Sequence, residues 1–249
     1  MKIDFSRIAN FRELEPWLDK STQKGNFLKV LSDYAKKNAP VSKPVEVDTS
    51  NAISNTLLGA VEGYMGKSYD DVNCYELVVE TLEKSGVKYR GKDGLSAYLS
   101  TMAKEKNLPV NSFMTGEGLV EAAGNKLFTK EILKTDNPDD QALHIVKELE
   151  GLLKKGDVLS FSMQTAGHTG FISKSGKDWT YINSGRMDNN IRDNTLKKAV
   201  GEEPLELEIA NWLKRASKKN ESLSITLGRF DASRLASFMK ERQSVSLTV

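Results

Sequence analysis

The sequence predicts an α+β domain with a mostly antiparallel sheet, and three observations carry that expectation. Apolar residues recur at helical spacing through the first 150 residues, as in "NCYELVVETLEK" and "DDQALHIVKELEGLLKK". Beyond Gly156 the pattern changes to short stretches of strand character, "DVLSFSM", "HTGFISK", "DWTYINS" and "SLSITLGRF". Helices first and strands later is the order of an α+β fold.

Taken in order, residues 7–37 read as one or two amphipathic helices, with Phe27, Leu28, Val30, Leu31 and Tyr34 at helical spacing. "KNAPVSKPVEVDTSN", residues 37–51, holds two of the six prolines and reads as an extended linker. A main domain is expected from residue 52 to residue 249. Its first helix is punctuated by Asp70 and Asp71 as N-cap candidates and by Gly86 as a stop, with Leu77, Val78, Thr81 and Leu82 along one face. Residues 87–150 read as a helical insertion of short helices joined by turns, a candidate lid or specificity element. A helix near 203–218 interrupts the strands, and no internal repeat or low-complexity tract occurs.

Composition excludes several classes. At 249 residues, 39% hydrophobic and 28% charged, the chain is long enough to bury a sizeable core and is not of disordered composition. With 36 Lys+Arg against 34 Asp+Glu the net charge is +2 and the signs are interspersed, so no nucleic-acid footprint is expected. The N-terminus has no apolar run of signal-peptide length, and no segment reaches the ~18 uninterrupted apolar residues of a membrane span. Synthesis in the cytoplasm is therefore expected. Two histidines and one cysteine lack metal-ligand spacing, and P-loop, dinucleotide and G-x-S-x-G signatures are absent, so no metal or cofactor is expected.

The single cysteine, Cys74, rules out an internal disulfide and falls in the first turn of its predicted helix. Unpaired backbone N–H groups and the helix dipole there favour a thiolate and suit an oxyanion, whereas Asp70, Asp71 and Glu76 oppose ionisation. A base is then needed. His144 sits mid-helix, as filler; His168 opens a strand after a small-residue turn, where an imidazole can face a cleft. Asn183, on the next strand, can orient that ring through its carboxamide oxygen. Each has an ordinary rival reading: Cys74 as a small core hydrophobe, His168 as a turn histidine, Asn183 as a turn former before Ser184-Gly185. Trp179 and Tyr181 share one strand face and read as core packing before sugar stacking. The basic run "LKRASKKNES" reads as a solvated helix end.

A helix-borne Cys74, then "KKGDVLSFS", "GHTGFIS" and "TYINSG", resembles the NlpC/P60 family of cysteine peptidases over roughly 65 residues. The resemblance implies a papain-like domain in which a helix carrying the cysteine packs on an antiparallel sheet. It implies Cys74 as nucleophile, His168 as base and Asn183 as the orienting residue, with Gly156 and Asp157 at the turn before the first barrel strand. Tyr69 is the one counterpart of the family's upstream tyrosine. Asn73-Cys74-Tyr75-Glu76 stands where the family has Asp-Cys-Ser-Gly, so Tyr69, Tyr75 and Glu76 become candidate substrate contacts. The implied activity is hydrolysis of an amide bond in peptidoglycan stem peptides, at the bacterial cell envelope after export without a classical leader, or else in the cytoplasm. Two other classes stay open: acyl transfer of the transglutaminase type on the same scaffold, and a non-catalytic cell-wall binding module.

Overall fold

The computed structural model describes residues 49–192 and 196–239. The helices expected over residues 7–37, and the linker as far as residue 48, lie outside them. Side-chain alternation along the strands divides the core between two faces of one sheet. Six strands are present among the described residues: β1 (Gly124–Ile132), β2 (Val158–Ser162), β3 (Gly167–Ser175), β4 (Asp178–Arg186), β5 (Lys198–Pro204) and β6 (Leu223–Phe230). Their spatial order is β1-β6-β2-β3-β4-β5, and every pairing is antiparallel. The fold is thus mixed α and β on an antiparallel sheet.

On one face Val158, Phe171, Ile182, Val200 and Phe230 pack beneath α1 (Thr49–Glu62), α2 (Cys74–Lys84), α3 (Leu95–Glu105) and α4 (Gly116–Ala123). Their neighbours along the strands, Leu159, Ile172 and Tyr181, turn to the other face. There, with Leu223, Ile225 and Leu227, they meet α5 (Pro138–Glu150) and α6 (Leu205–Lys219). A short α7 (Ala232–Ala236) follows β6. Burying each Leu, Ile, Val or Phe contributes about 1.5–3 kcal/mol, so both layers are needed to offset the entropy of ordering the chain.

Several expectations are corrected. α1 begins at Thr49, so the end of the expected linker is helical. α2 is capped by Asn73 and not by Asp70 or Asp71. Residues 87–150 are not helical throughout: they include β1, which pairs with β6 along its length, and α5, which packs in the second helical layer. β1 escaped the sequence reading because "GNKLFTKEI" is a largely solvated edge strand without strict alternation. β5 escaped it because its buried positions include Gly201, Glu202 and Glu203. Its outer edge is met by the chain at Gly66 to Tyr69, where Gly66 N–H donates to Val200 O at 2.9 Å and Val200 N–H to Lys67 O at 2.8 Å.

The turn before β2 is a lock between strands. Asp157 is fully buried and accepts Arg229 Nε on Oδ1 at 2.7 Å and the second guanidinium nitrogen on Oδ2 at 2.8 Å, tying β2 to β6. Gly156, at φ +84°, turns tightly over Ser54.

Candidate active site

Cys74 is the first residue of α2, and its setting is built by its neighbours. Asn73 Oδ1 accepts the N–H groups of Tyr75 and Glu76 at 3.0 Å each, and Glu76 Oε2 accepts the Asn73 N–H at 3.0 Å. This reciprocal capping box fixes the start of the helix. It also gives Glu76 a structural task. Burial pushes the Cys74 thiol up, against the backbone N–H groups of Thr169, Tyr75 and Cys74 itself, which favour the thiolate.

Strand geometry explains how Thr169 reaches that sulfur. Ile172 N–H donates to Asp157 O on the β2 side, so by alternation Thr169 N–H points toward β4. The β3–β4 ladder ends at Gly170↔Asn183, and beyond that pair the strands part. The segment before α2 enters this fork, held by Ser184 Oγ donating to Val72 O. Cys74 therefore lies at the fork, beside the residue that follows His168.

His168 and Asn183 fall on the α6 side of the sheet, two residues from Gly170 and Tyr181 respectively. His168 Nε2 lies 3.0 Å from Asn183 Oδ1. Asn183 Nδ2 donates to Glu203 Oε2 at 3.4 Å, which turns the carboxamide oxygen toward the ring. Nε2 consequently carries the proton and Nδ1 keeps its lone pair, the tautomer a general base requires. Two glycines make the arrangement possible. At Gly170 a Cβ would meet Ile182 O at 2.3 Å, and at Gly185 it would meet Asn183 Oδ1 at 3.0 Å and His168 Cε1 at 3.2 Å.

The ring is enclosed by aromatics. Trp212 stacks on it at 5.5 Å and 20°, and Tyr181 meets it edge-on at 6.0 Å. The Arg215 guanidinium lies over the Trp212 ring, 4.9 Å from its centre. Burial lowers the His168 pKa to about 4, against the raising effect of the Asn183 hydrogen bond. Glu208 Oε1 stands 3.7 Å from His168 Nε2 and accepts the Trp212 indole N–H at 2.9 Å. Burial raises its pKa to about 7. At mildly acidic pH the thiol, the imidazole and this carboxyl are all uncharged.

A polar cavity of about 530 Å³ opens over the dyad, lined by Tyr69, His168, Asn183, Glu208, Trp212 and Arg215 among others. Of the candidate substrate contacts, Tyr69 is on its wall. Cys74, Tyr75 and Glu76 are not; Tyr75 Oη is bonded to Tyr89 Oη at 2.8 Å, within the α2-side core. His144 is exposed on α5, Tyr181 is fully buried and Trp179 packs partly buried against the second core. Among the described residues no group of three or more His, Cys, Asp or Glu is placed to hold a metal, and no helix is long and apolar enough to cross a membrane. Glu208, Trp212 and Glu203 were missed in the sequence. The signal was there for one of them: Glu208 interrupts the apolar stripe Leu205, Ile209, Trp212, Leu213, Ala216 of α6. A charged residue on a buried helical face marks a site worth inspecting.

Comparison with known proteins gives no family model that matches the chain, and neither a curated protein nor a solved structure matches it.

Proposed function

We propose that the chain is a cysteine amidohydrolase of papain-like type, similar in its site to NlpC/P60 peptidases, acting on amide bonds of peptides such as peptidoglycan stems. The observation that carries this reading is the His168–Asn183 pair, its tautomer set by Glu203, with the N–H of the next residue, Thr169, on a thiol at a helix N-terminus. Cys74 gives its proton to His168 Nδ1 and attacks the carbonyl carbon as thiolate. The tetrahedral oxyanion is met by the backbone N–H at the start of α2, the Asn73 cap having taken those of Tyr75 and Glu76. His168 then returns the proton to the departing amine, and water releases the acyl group from sulfur. Asn183 holds the Nε2–H tautomer throughout. Action at the cell envelope belongs to the same proposal.

The test is mass spectrometry of purified peptidoglycan after incubation with the full chain and with Cys74→Ala. Expected is a stem-peptide fragment that appears with the first protein only. Intact peptidoglycan, together with a Cys74 thiol inert to iodoacetamide at neutral pH, overturns the reading. Product formed only when an amine or lipid acceptor is supplied would instead assign acyl transfer.

A further inference from the structure

The reaction proposed above asks His168 to become an imidazolium in a place that opposes charge. Its side chain is 9% exposed and it is flanked by Trp212 and Tyr181, with the cationic Arg215 nearby. Asn183 supplies a dipole and no charge. The thiolate left by the transfer offsets the proton from the Nδ1 side, and the Nε2 side of the ring has room for a second anion.

We propose that Glu208 is a positioning residue that supplies this charge: its carboxylate pairs with the imidazolium form of His168 and makes the ring a competent base. The geometry carries the assignment. Glu208 Oε1 is 3.7 Å from His168 Nε2, both side chains are 9% exposed, and the carboxyl is held in place by the Trp212 indole N–H at 2.9 Å. Trp212 in turn stacks on the imidazole, so one indole sets the position of acid and base alike. Asn183 and Glu208 approach the same nitrogen, one as a neutral acceptor and one as an ionisable one. The proton transfer balances without a further reactant: the thiol proton moves to Nδ1, Nε2–H stays in place, and Glu208 contributes field alone.

The charged and titratable groups around Glu208 set when it ionises. Glu203 from β5 and Asp188 from the β4–β5 connection oppose its charge, as does burial; Trp212 and Asn211 of its own helix hydrogen-bond to it and favour the anion. Arg215 acts on the same ring from α6, and Tyr181 and His168 face it from β4 and β3. The site thus holds a neutral acid in mildly acid solution and an anion above about pH 7.

This inference rests on the proposed chemistry for its purpose but not for its test. In the full chain, the His168 ring signals followed by NMR between pH 3 and pH 9 should show two inflections, its own and a second near 7 that reports Glu208. Glu208→Gln keeps the shape and the acceptor for Trp212 but has no proton to lose, so the second inflection should vanish. Iodoacetamide alkylation of Cys74 should accelerate through the same pH in the native chain and fall at least tenfold at pH 8 in Glu208→Gln. A His168 titration with no step near 7, or one that Glu208→Gln leaves unchanged, overturns the pairing. A second inflection present with alkylation unaffected by His168→Ala instead sinks the thiol chemistry and leaves the pairing intact. Should Glu208→Gln fail to fold, the native titration still decides, and Glu208→Asp should move the inflection and not abolish it.

Discussion

Asn183 is the residue at which ordinary and catalytic readings meet, because its two ends do different work. Its oxygen orients His168 and its nitrogen satisfies the buried Glu203. Asn183→Ala should therefore lose both, costing about 1–3 kcal/mol of stability in urea melts and lowering kcat more than KM. Asn183→Asp is expected to fare no better: it sets a second carboxylate against Glu203, whose pKa burial already raises. Gly185→Ala tests the neighbouring space. Its Cβ would press on the His168–Asn183 contact from 3.0–3.2 Å, so iodoacetamide reactivity of Cys74 at neutral pH should drop while the melting temperature changes little. An unaltered reactivity would separate the dyad from the thiol. A more direct measure is 1,3-dibromoacetone, a short thiol–imidazole bridge, which should join Cys74 to His168 in one pair of tryptic peptides.

At the scale of elements, the start of α2 and the turn before β2 bring the two halves of the site to the same fork. Glu76→Gln preserves the acceptor that the capping box needs, so it should leave stability and any turnover nearly unchanged, against a role in substrate contact. Asn73→Ala removes the cap of two N–H groups and should cost about 1 kcal/mol, read as a lower denaturation midpoint at constant slope. The Asp157–Arg229 lock is the larger contribution. Asp157→Ala leaves a guanidinium at the β2–β6 junction without its carboxylate, and about 3–5 kcal/mol should be lost. The lock stands at the Val158↔Phe171 end of the β2–β3 pairing, and His168 lies towards the other end, opposite Phe161.

For the whole molecule, two of the perturbed groups at the site, His168 and Glu208, make stability depend on pH with opposite signs. His168, at about 4 in the fold against an ordinary 6.5, binds its proton less tightly in the fold; the resulting penalty is complete below 4 and disappears as pH rises to 6.5. Glu208, at about 7 against 4.5, is favoured by the fold below 4.5, and that contribution is lost as pH rises through 7. Each is of order 3 kcal/mol, taking about 1.4 kcal/mol per unit. The contributions of this pair should nearly cancel between pH 4.5 and 6.5. Glu208→Gln removes the second limb, so its stability relative to the native chain should grow from pH 4.5 to pH 7, measurable as diverging thermal midpoints.

What the sequence determined by itself was local. The helix from Cys74 to Lys84 with its stop at Gly86, the strands around Val158, His168, Asp178 and Leu223, and the mid-helix exposure of His144 follow from apolar spacing and turn chemistry, which the chain carries within a few residues. The identity of Cys74, His168 and Asn183 as candidates was legible for the same reason. Their spatial relation was not, since the sequence does not state on which face of the sheet each stands. Only the tertiary structure set Cys74 in one helical layer, the His168–Asn183 pair facing the other, and the fork past Gly170 between them. It alone made β1 and β5 strands, by giving solvated and polar segments an edge to pair with. And it alone brought Glu208 to His168, 40 positions later in the chain. A side chain's charge and basicity are set by what surrounds it in space, and that is decided by packing.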